Sequence, residues 1–140
     1  DLCREHDVQC FISSENKLPE ALMPYRLSIP VNRVHHALSF ASLFIGDSQT
    51  MTSEAAVLGT PAIRYSDFTG RLSVIDEIEK YQLAFGISPD SPEKLVAAVE
   101  RYLTGTEMVD YGQHHGSFLR DKIDPAPWFA NQVLEVVRNA

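Results

Sequence analysis

The sequence predicts an α/β domain, a mainly parallel sheet of about five strands covered by helices on both faces. Three observations carry this. Short apolar runs at 8–12, 43–46, 62–65 and 83–87, joined by an alternating run at 25–29, are interleaved with segments whose apolar residues recur at helical spacing. Turn formers mark each change of period: Gly46, Gly59-Thr60-Pro61, Ser88-Pro89-Asp90-Ser91-Pro92 and Gly105. The chain has 140 residues, 44% of them hydrophobic and 22% charged, which suits one globular domain with a sizeable core.

Taken in order, residues 1–7 are polar and read as the tail of a helix, and 8–12 reads as a strand that buries Cys10. Between Pro24 and Pro30, the alternation of Tyr25, Leu27 and Ile29 gives a second short strand. Residues 31–42 place Val34, Ala37, Leu38 and Ala41 on one helical face, with Asn32 as N-cap. Then come a buried strand at 43–46, a polar turn, a helix at about 51–58 and a strand at 62–65. Residues 67–71 form a loop pivoting on Gly70. A helix over 72–82 turns Val74, Ile75, Ile78 and Tyr81 inward, and 83–87 is the next strand. Pro92 occupies the first position of a helix that runs to Leu103 and stops at Gly105. The stretch 107–124 has weak periodicity and reads as partly helical. After Pro125-Ala126-Pro127, a C-terminal helix over 128–139 turns Phe129, Val133, Val136 and Val137 inward.

The formal net charge of −7 repels phosphate backbones and argues against nucleic-acid binding. It leaves room for a local anion site built from backbone N–H groups at a helix end. Two cysteines, Cys3 and Cys10, give no disulfide framework and no CxxC motif, which suits a reducing, cytoplasmic compartment. The adjacent pairs His35-His36 and His114-His115 diverge on a helix or strand, so no metal site is expected. No apolar run is long enough to cross a bilayer.

The chemistry concentrates at Gly46-Asp47-Ser48-Gln49-Thr50-Met51-Thr52-Ser53-Glu54. A strand ends at Gly46 and a helix begins within a few residues, so its first N–H groups point into the crevice beyond the sheet edge. A phosphate there gains from those donors and from the helix dipole, and the hydroxyls of Ser48, Thr50 and Thr52 add donors. Glu54, an acceptor one turn in, suits the paired hydroxyls of a ribose. The same residues also read without a ligand: Ser48 or Thr50 caps the helix, Glu54 answers its dipole, and Met51, Ala55 and Leu58 face the core.

The run Gly46-Asp47-Ser48-x-Thr50-Met51-x-x-Glu54-Ala55-Ala56-x-Leu58-Gly59-Thr60-Pro61 resembles a segment of UDP-N-acetylglucosamine 2-epimerase and of the peptidoglycan N-acetylglucosaminyl transferase. Both have the GT-B architecture of two Rossmann-like domains. It is more similar still to an uncharacterised prokaryotic family of epimerase-like GT-B proteins. That similarity also takes in Ile12-Ser13-Ser14-Glu15, Leu18-Pro19, Tyr25-Arg26-Leu27, His35 and Gly59-Thr60-Pro61-Ala62-Ile63-Arg64, and it covers about residues 8–103. The resemblance implies a Rossmann-like three-layer sandwich over 1–140, the C-terminal domain that holds the nucleotide half of a nucleotide-sugar substrate, UDP-linked, with no separate cofactor. By the same resemblance Ser48 sits at the diphosphate, Gln49 and Thr50 offer N–H groups there, Glu54 binds the ribose hydroxyls, and Pro30 and Val31 line the base. Gln49 and Thr50 stand where the epimerase has two glycines, so approach to the diphosphate is less open. His35, Arg64 and Arg71 are further candidates for substrate or phosphate contact, and either arginine reads equally well as a solvated charge.

A complete domain of this kind begins with a strand and helix before 8–12. Residues 1–7 cannot hold both. The chain is therefore expected to be a piece of a two-domain protein whose N-terminal domain is its partner. The missing strand is central, between 8–12 and 43–46. Two outcomes are expected: those segments pair directly in a reduced five-stranded sheet, or a neighbouring copy fills the gap in a strand-swapped dimer. An open slot is the least expected, because it leaves backbone groups unpaired. Trp128 and Phe129 are expected as core or interdomain anchors. The rival readings are a non-catalytic Rossmann-like interaction or regulatory module, and a receiver-like domain, for which Asp47 lacks an acidic pair and a downstream Lys.

Overall fold

The computed structural model describes residues 2–67, 73–106 and 110–139. Three parallel strands, β1 (Phe44–Gly46), β2 (Ala62–Tyr65) and β3 (Ala84–Ile87), form one sheet in the order β1-β2-β3. The helices are α1 (Leu2–Glu5), α2 (Val34–Phe40), α3 (Gln49–Val57), α4 (Ser73–Glu79), α5 (Pro92–Leu103), α6 (Tyr111–Asp121) and α7 (Pro125–Arg138). Two 3-10 segments, Glu20–Tyr25 and Val31–Arg33, precede α2.

The register assigns the two sheet faces. Phe44, Ala62 and Ala84 stand side by side, as do Ile45, Ile63 and Phe85 in the next row and Gly46, Arg64 and Gly86 in the third. Side chains alternate along a strand, so the first and third rows share one face and the second lies on the other. The first row meets the core: Ala62 and Ala84 pack with Leu38 of α2, Ala55 and Ala56 of α3, Ile78 of α4, Leu83 and Phe118 of α6. Small residues on β2, β3 and α3 let backbones approach closely, and the larger Leu83, Ile78 and Phe118 fill the remaining space.

The expected sheet of about five strands is corrected to three. Residues 8–12 are largely exposed, Cys10 and Phe11 included, and only one isolated parallel bridge, Ile12 to Arg26, links them to the second expected strand. Ile12 N–H donates to Tyr25 O at 2.7 Å and Leu27 N–H to Ile12 O at 2.9 Å, and the ladder goes no further. A two-stranded ribbon this short is marginal without a third neighbour. Pro24 also lies inside the 3-10 segment Glu20–Tyr25, which uses residues that an extended strand would need. Residues 8–12 do not pair with β1, and the outer edge of β1 carries no strand among the described residues. The expected direct pairing of 8–12 with 43–46 is therefore not made, because 8–12 forms no strand.

Other elements shift at their ends. Residues 31–33 are 3-10 rather than α, and Arg33 rather than Asn32 holds the N-cap position of α2. Gly105, at φ 66°, follows α5 as expected. The weakly periodic stretch contains α6, capped by Asp110, whose carboxylate accepts from Gln113 N–H at 3.0 Å. The expected pivot at Gly70 falls outside the described residues.

The largest correction concerns the C-terminal helix. It begins earlier, at Pro125, with Asp124 accepting from Ala126 N–H at 3.0 Å. Yet Trp128, Phe129, Val133, Val136 and Val137 are all exposed rather than inward, Val136 to 70%. Periodicity and caps suffice to form the helix; burial of its apolar stripe needs a facing surface, and no other described element supplies one.

Beneath α6 a polar and aromatic cluster ties its end to α4. The Tyr81 and Phe118 rings meet edge to face at 5.2 Å, Lys122 lies over both, and Tyr81 Oη donates to Asp121 Oδ2 at 2.9 Å. Lys122 Nζ also reaches Glu77 Oε1 at 2.7 Å, and Lys80 pairs with the other oxygen. Hydrogen bonds from Lys122 and then Lys80 lower the Glu77 pKa from 4.5 to about 2. A lowered carboxylate pKa stabilises the fold above the unfolded value, and that contribution is lost as pH falls from about 4.5 to about 2. Solvent screening keeps it small. Glu77→Gln is expected to lower the thermal midpoint slightly at pH 7 and to match wild type near pH 2, so its decline across that window is flatter, measured by circular dichroism.

Candidate functional site

The turn after β1 is built by its own side chains. Ser48 is the N-cap of α3: its Oγ accepts from Met51 N–H at 3.3 Å, and its carbonyl accepts from Thr52 N–H at 3.1 Å and Thr52 Oγ1 at 2.8 Å. Capping consumes an acceptor lone pair of the Ser48 hydroxyl and leaves its O–H able to donate outward. The geometry of a helix start leaves the Gln49 and Thr50 N–H groups without intrahelical acceptors. Thr52 is fully buried and turned onto the Ser48 carbonyl, so it belongs to the scaffold and is removed from the hydroxyls that could meet a ligand. Thr50 is exposed.

Glu54 projects from the second turn of α3 and meets His35 of α2, with Nε2 3.1 Å from Oε2. Their side chains are 34% and 59% exposed respectively, so the pair stands at the surface with its outer carboxylate oxygen within reach of solvent. Two residues given separate parts by the sequence thus come together. Val31 lies four residues before His35 in the continuous helical path from Val31–Arg33 into α2, and it is 87% exposed. Pro30 precedes it and is also exposed. An apolar side chain this open, one turn from a His–Glu pair, offers a flat contact surface beside a polar one.

Arg64 is neither solvated nor on the surface: it is 4% exposed. Its row in the sheet explains this, because Gly46 and Gly86 flank it and leave space for a long side chain across the strands. A Cβ built on Gly46 would lie 2.6 Å from the Phe44 ring, so that row keeps its glycine for packing reasons as well. Arg64 Nε donates to Asp47 O at 3.4 Å and Nη2 to Ser66 Oγ at 3.2 Å. It therefore braces the turn after β1 against the end of β2. Arg71 lies outside the described residues.

The far end of α3 is fixed with equal care. Gly59, at φ 84°, ends the helix, and Thr60 N–H returns to Ala55 O at 2.9 Å. The buried Thr60 Oγ1 donates to Leu38 O at 2.7 Å, which ties the Gly-Thr-Pro break to α2 and so holds His35 and Glu54 in mutual reach. In the sequence Gly59-Thr60-Pro61 reads as a break and as the end of the resembling run, with no structural part given to Thr60. A threonine at a buried turn, whose hydroxyl must find an acceptor, is the signal that could have shown more.

Among the described residues no group of three or more His, Cys, Asp or Glu could hold a metal ion, and no helix is long and apolar enough to cross a membrane. The molecule is thus a small parallel α/β domain with a capped helix start and a His–Glu pair at one edge of its sheet. No known family, curated protein or solved structure matches the chain.

Proposed function

We propose that this domain is the nucleotide-binding half of a GT-B-like glycosyltransferase or sugar-nucleotide epimerase. The observation that carries the reading is the His35–Glu54 pair, held 3.1 Å apart beside the Ser48-capped start of α3. A nucleoside diphosphate sugar offers an anion and a vicinal diol a short distance apart, and the turn offers donors for the first and an acceptor for the second. The diphosphate sits against the Gln49 and Thr50 N–H groups and the Ser48 hydroxyl. The ribose hydroxyls donate to Glu54, which His35 orients. The base lies along Pro30 and Val31, and Arg64 keeps the turn in place from below.

In this reading the chain does not catalyse by itself. The acceptor and the reacting groups belong to an N-terminal domain, and the exposed apolar stripe of α7 is the surface that meets it. The free edge of β1 leaves a second form of partnership open, a strand contributed by a neighbouring copy, which sedimentation would report as a dimer. The same stripe and edge also suit a non-catalytic interaction module, and titration separates the two. With UDP-, GDP- and ADP-linked sugars, amide shifts at residues 48–50 and 54 should saturate and differ among the bases. Equal shifts with all three, or none with any, would remove the nucleotide assignment and leave the interaction module.

A further inference from the structure

The second row of the sheet, Ile45, Ile63 and Phe85, faces away from the core. Over it, α5 does not close down. A cavity of about 500 Å³ remains between them, within the range of small-molecule sites. Its floor is Ile63, Phe85 and Ile87. Its roof is one stripe of α5, Lys94, Ala97, Ala98 and Arg101, at the spacing of a single helical face. The small side chains of Ala97 and Ala98 in the middle of the stripe leave the space open. One end is tethered by Tyr102, whose hydroxyl donates to Ser42 O.

The cations at the ends of that stripe are the second observation. Lys94 and Arg101 are seven residues apart, about 10 Å along the helix. Neither side chain has a hydrogen-bond or ion-pair partner among the described residues. Two cations unpaired among the described residues thus stand on the rim of an apolar cavity, in a chain of net charge −7. The apolar floor gains from an apolar occupant that covers it. The rim selects the other end of that occupant by charge.

We propose that this cavity is a second ligand site, for a free amphiphilic carboxylate of medium chain length, its alkyl tail over Ile63 and Phe85 and its carboxylate at Lys94 or Arg101. It lies on the opposite sheet face from the core and does not depend on the nucleotide reading. Isothermal titration of the whole chain with decanoate, below its micelle concentration, tests it. The expected result is saturable one-to-one binding, at least tenfold weaker for 1-decanol and for the double variant Lys94→Ala/Arg101→Ala. Ala98→Leu fills the cavity from the roof and should abolish binding while raising the thermal midpoint. That rise shows the variant is folded. Absence of saturation with the wild-type chain, equal affinity for decanoate and decanol, or undiminished binding by Ala98→Leu would each overturn the proposal. So would sedimentation showing decanoate-insensitive self-association that Ala98→Leu disrupts, because a polypeptide would then cover this face.

Discussion

Replacing Glu54 by alanine is expected to weaken binding of a uridine diphosphate sugar by about tenfold or more and to leave the fold intact. A hydrogen bond to a charged group is worth about 1.5–3 kcal/mol, and about 1.4 kcal/mol is a factor of ten. Glu54 lies in the body of α3, where alanine is the better helix former, so the helix does not suffer. Its side chain pairs with the exposed His35, whose release costs little at the surface. The informative comparison is with a 2′-deoxyribose ligand. If Glu54 serves the ribose, wild type loses affinity on removal of that hydroxyl and Glu54→Ala loses almost nothing further, so the effects do not add. Additive losses would place Glu54 outside the ribose contact, whereas loss with both sugars only in Ser48 and Thr50 variants would confine the site to the diphosphate. His35→Gln should fall between, since a neutral donor can still orient the carboxylate.

Much of the site's local geometry is legible in the sequence because local chemistry determines it. A strand ending at Gly46, a choice of Ser48 or Thr50 as cap and a Gly-Thr-Pro break place α3 at about 51–58, within two residues of its observed Gln49–Val57 with Ser48 as cap, without reference to the rest of the chain. The strands β2 and β3 are legible for a related reason: both are flanked by turn residues and each is short and apolar. What cannot be read is anything set by register. Arg64 looks like a surface charge or a phosphate ligand, and only its row between Gly46 and Gly86 shows why it is buried. The pairing of His35 with Glu54 likewise depends on the docking of α2 onto α3, fixed through Thr60 and Leu38. The strands expected at 8–12 and 25–29 fail for the opposite reason. Their local pattern is adequate, but a strand needs a neighbour, and Ile12 finds only Arg26. α7 carries the same lesson in helical form: its amphipathic pattern makes the helix, and the burial expected of its stripe does not follow.

Leu83→Ala should be the most destabilising single change, at ~3 kcal/mol within the usual 2–5 kcal/mol for buried leucine. Leu83 is 1% exposed, the side chain sits in the core cluster, and its carbonyl accepts from Ala62 N–H at 3.1 Å at the entrance to the sheet. Its neighbours Ala62 and Ala84 are already small and lie on backbone, so they cannot move in to fill the space. With typical domain stabilities of about 5–15 kcal/mol, and three strands among the described residues to anchor the layers, the loss is a large fraction of the whole. Two variants calibrate the value by urea denaturation. Phe85→Ala, on the cavity face, removes a larger side chain from a place already loosely filled and should cost less than its size suggests. Val136→Ala, on the exposed stripe of α7, should change stability by no more than about 0.5 kcal/mol in the isolated chain. A cost at Val136 approaching that at Leu83 would mean that the stripe is covered in solution. The midpoint would then depend on protein concentration if a second copy does the covering, because association stabilises the folded state by mass action.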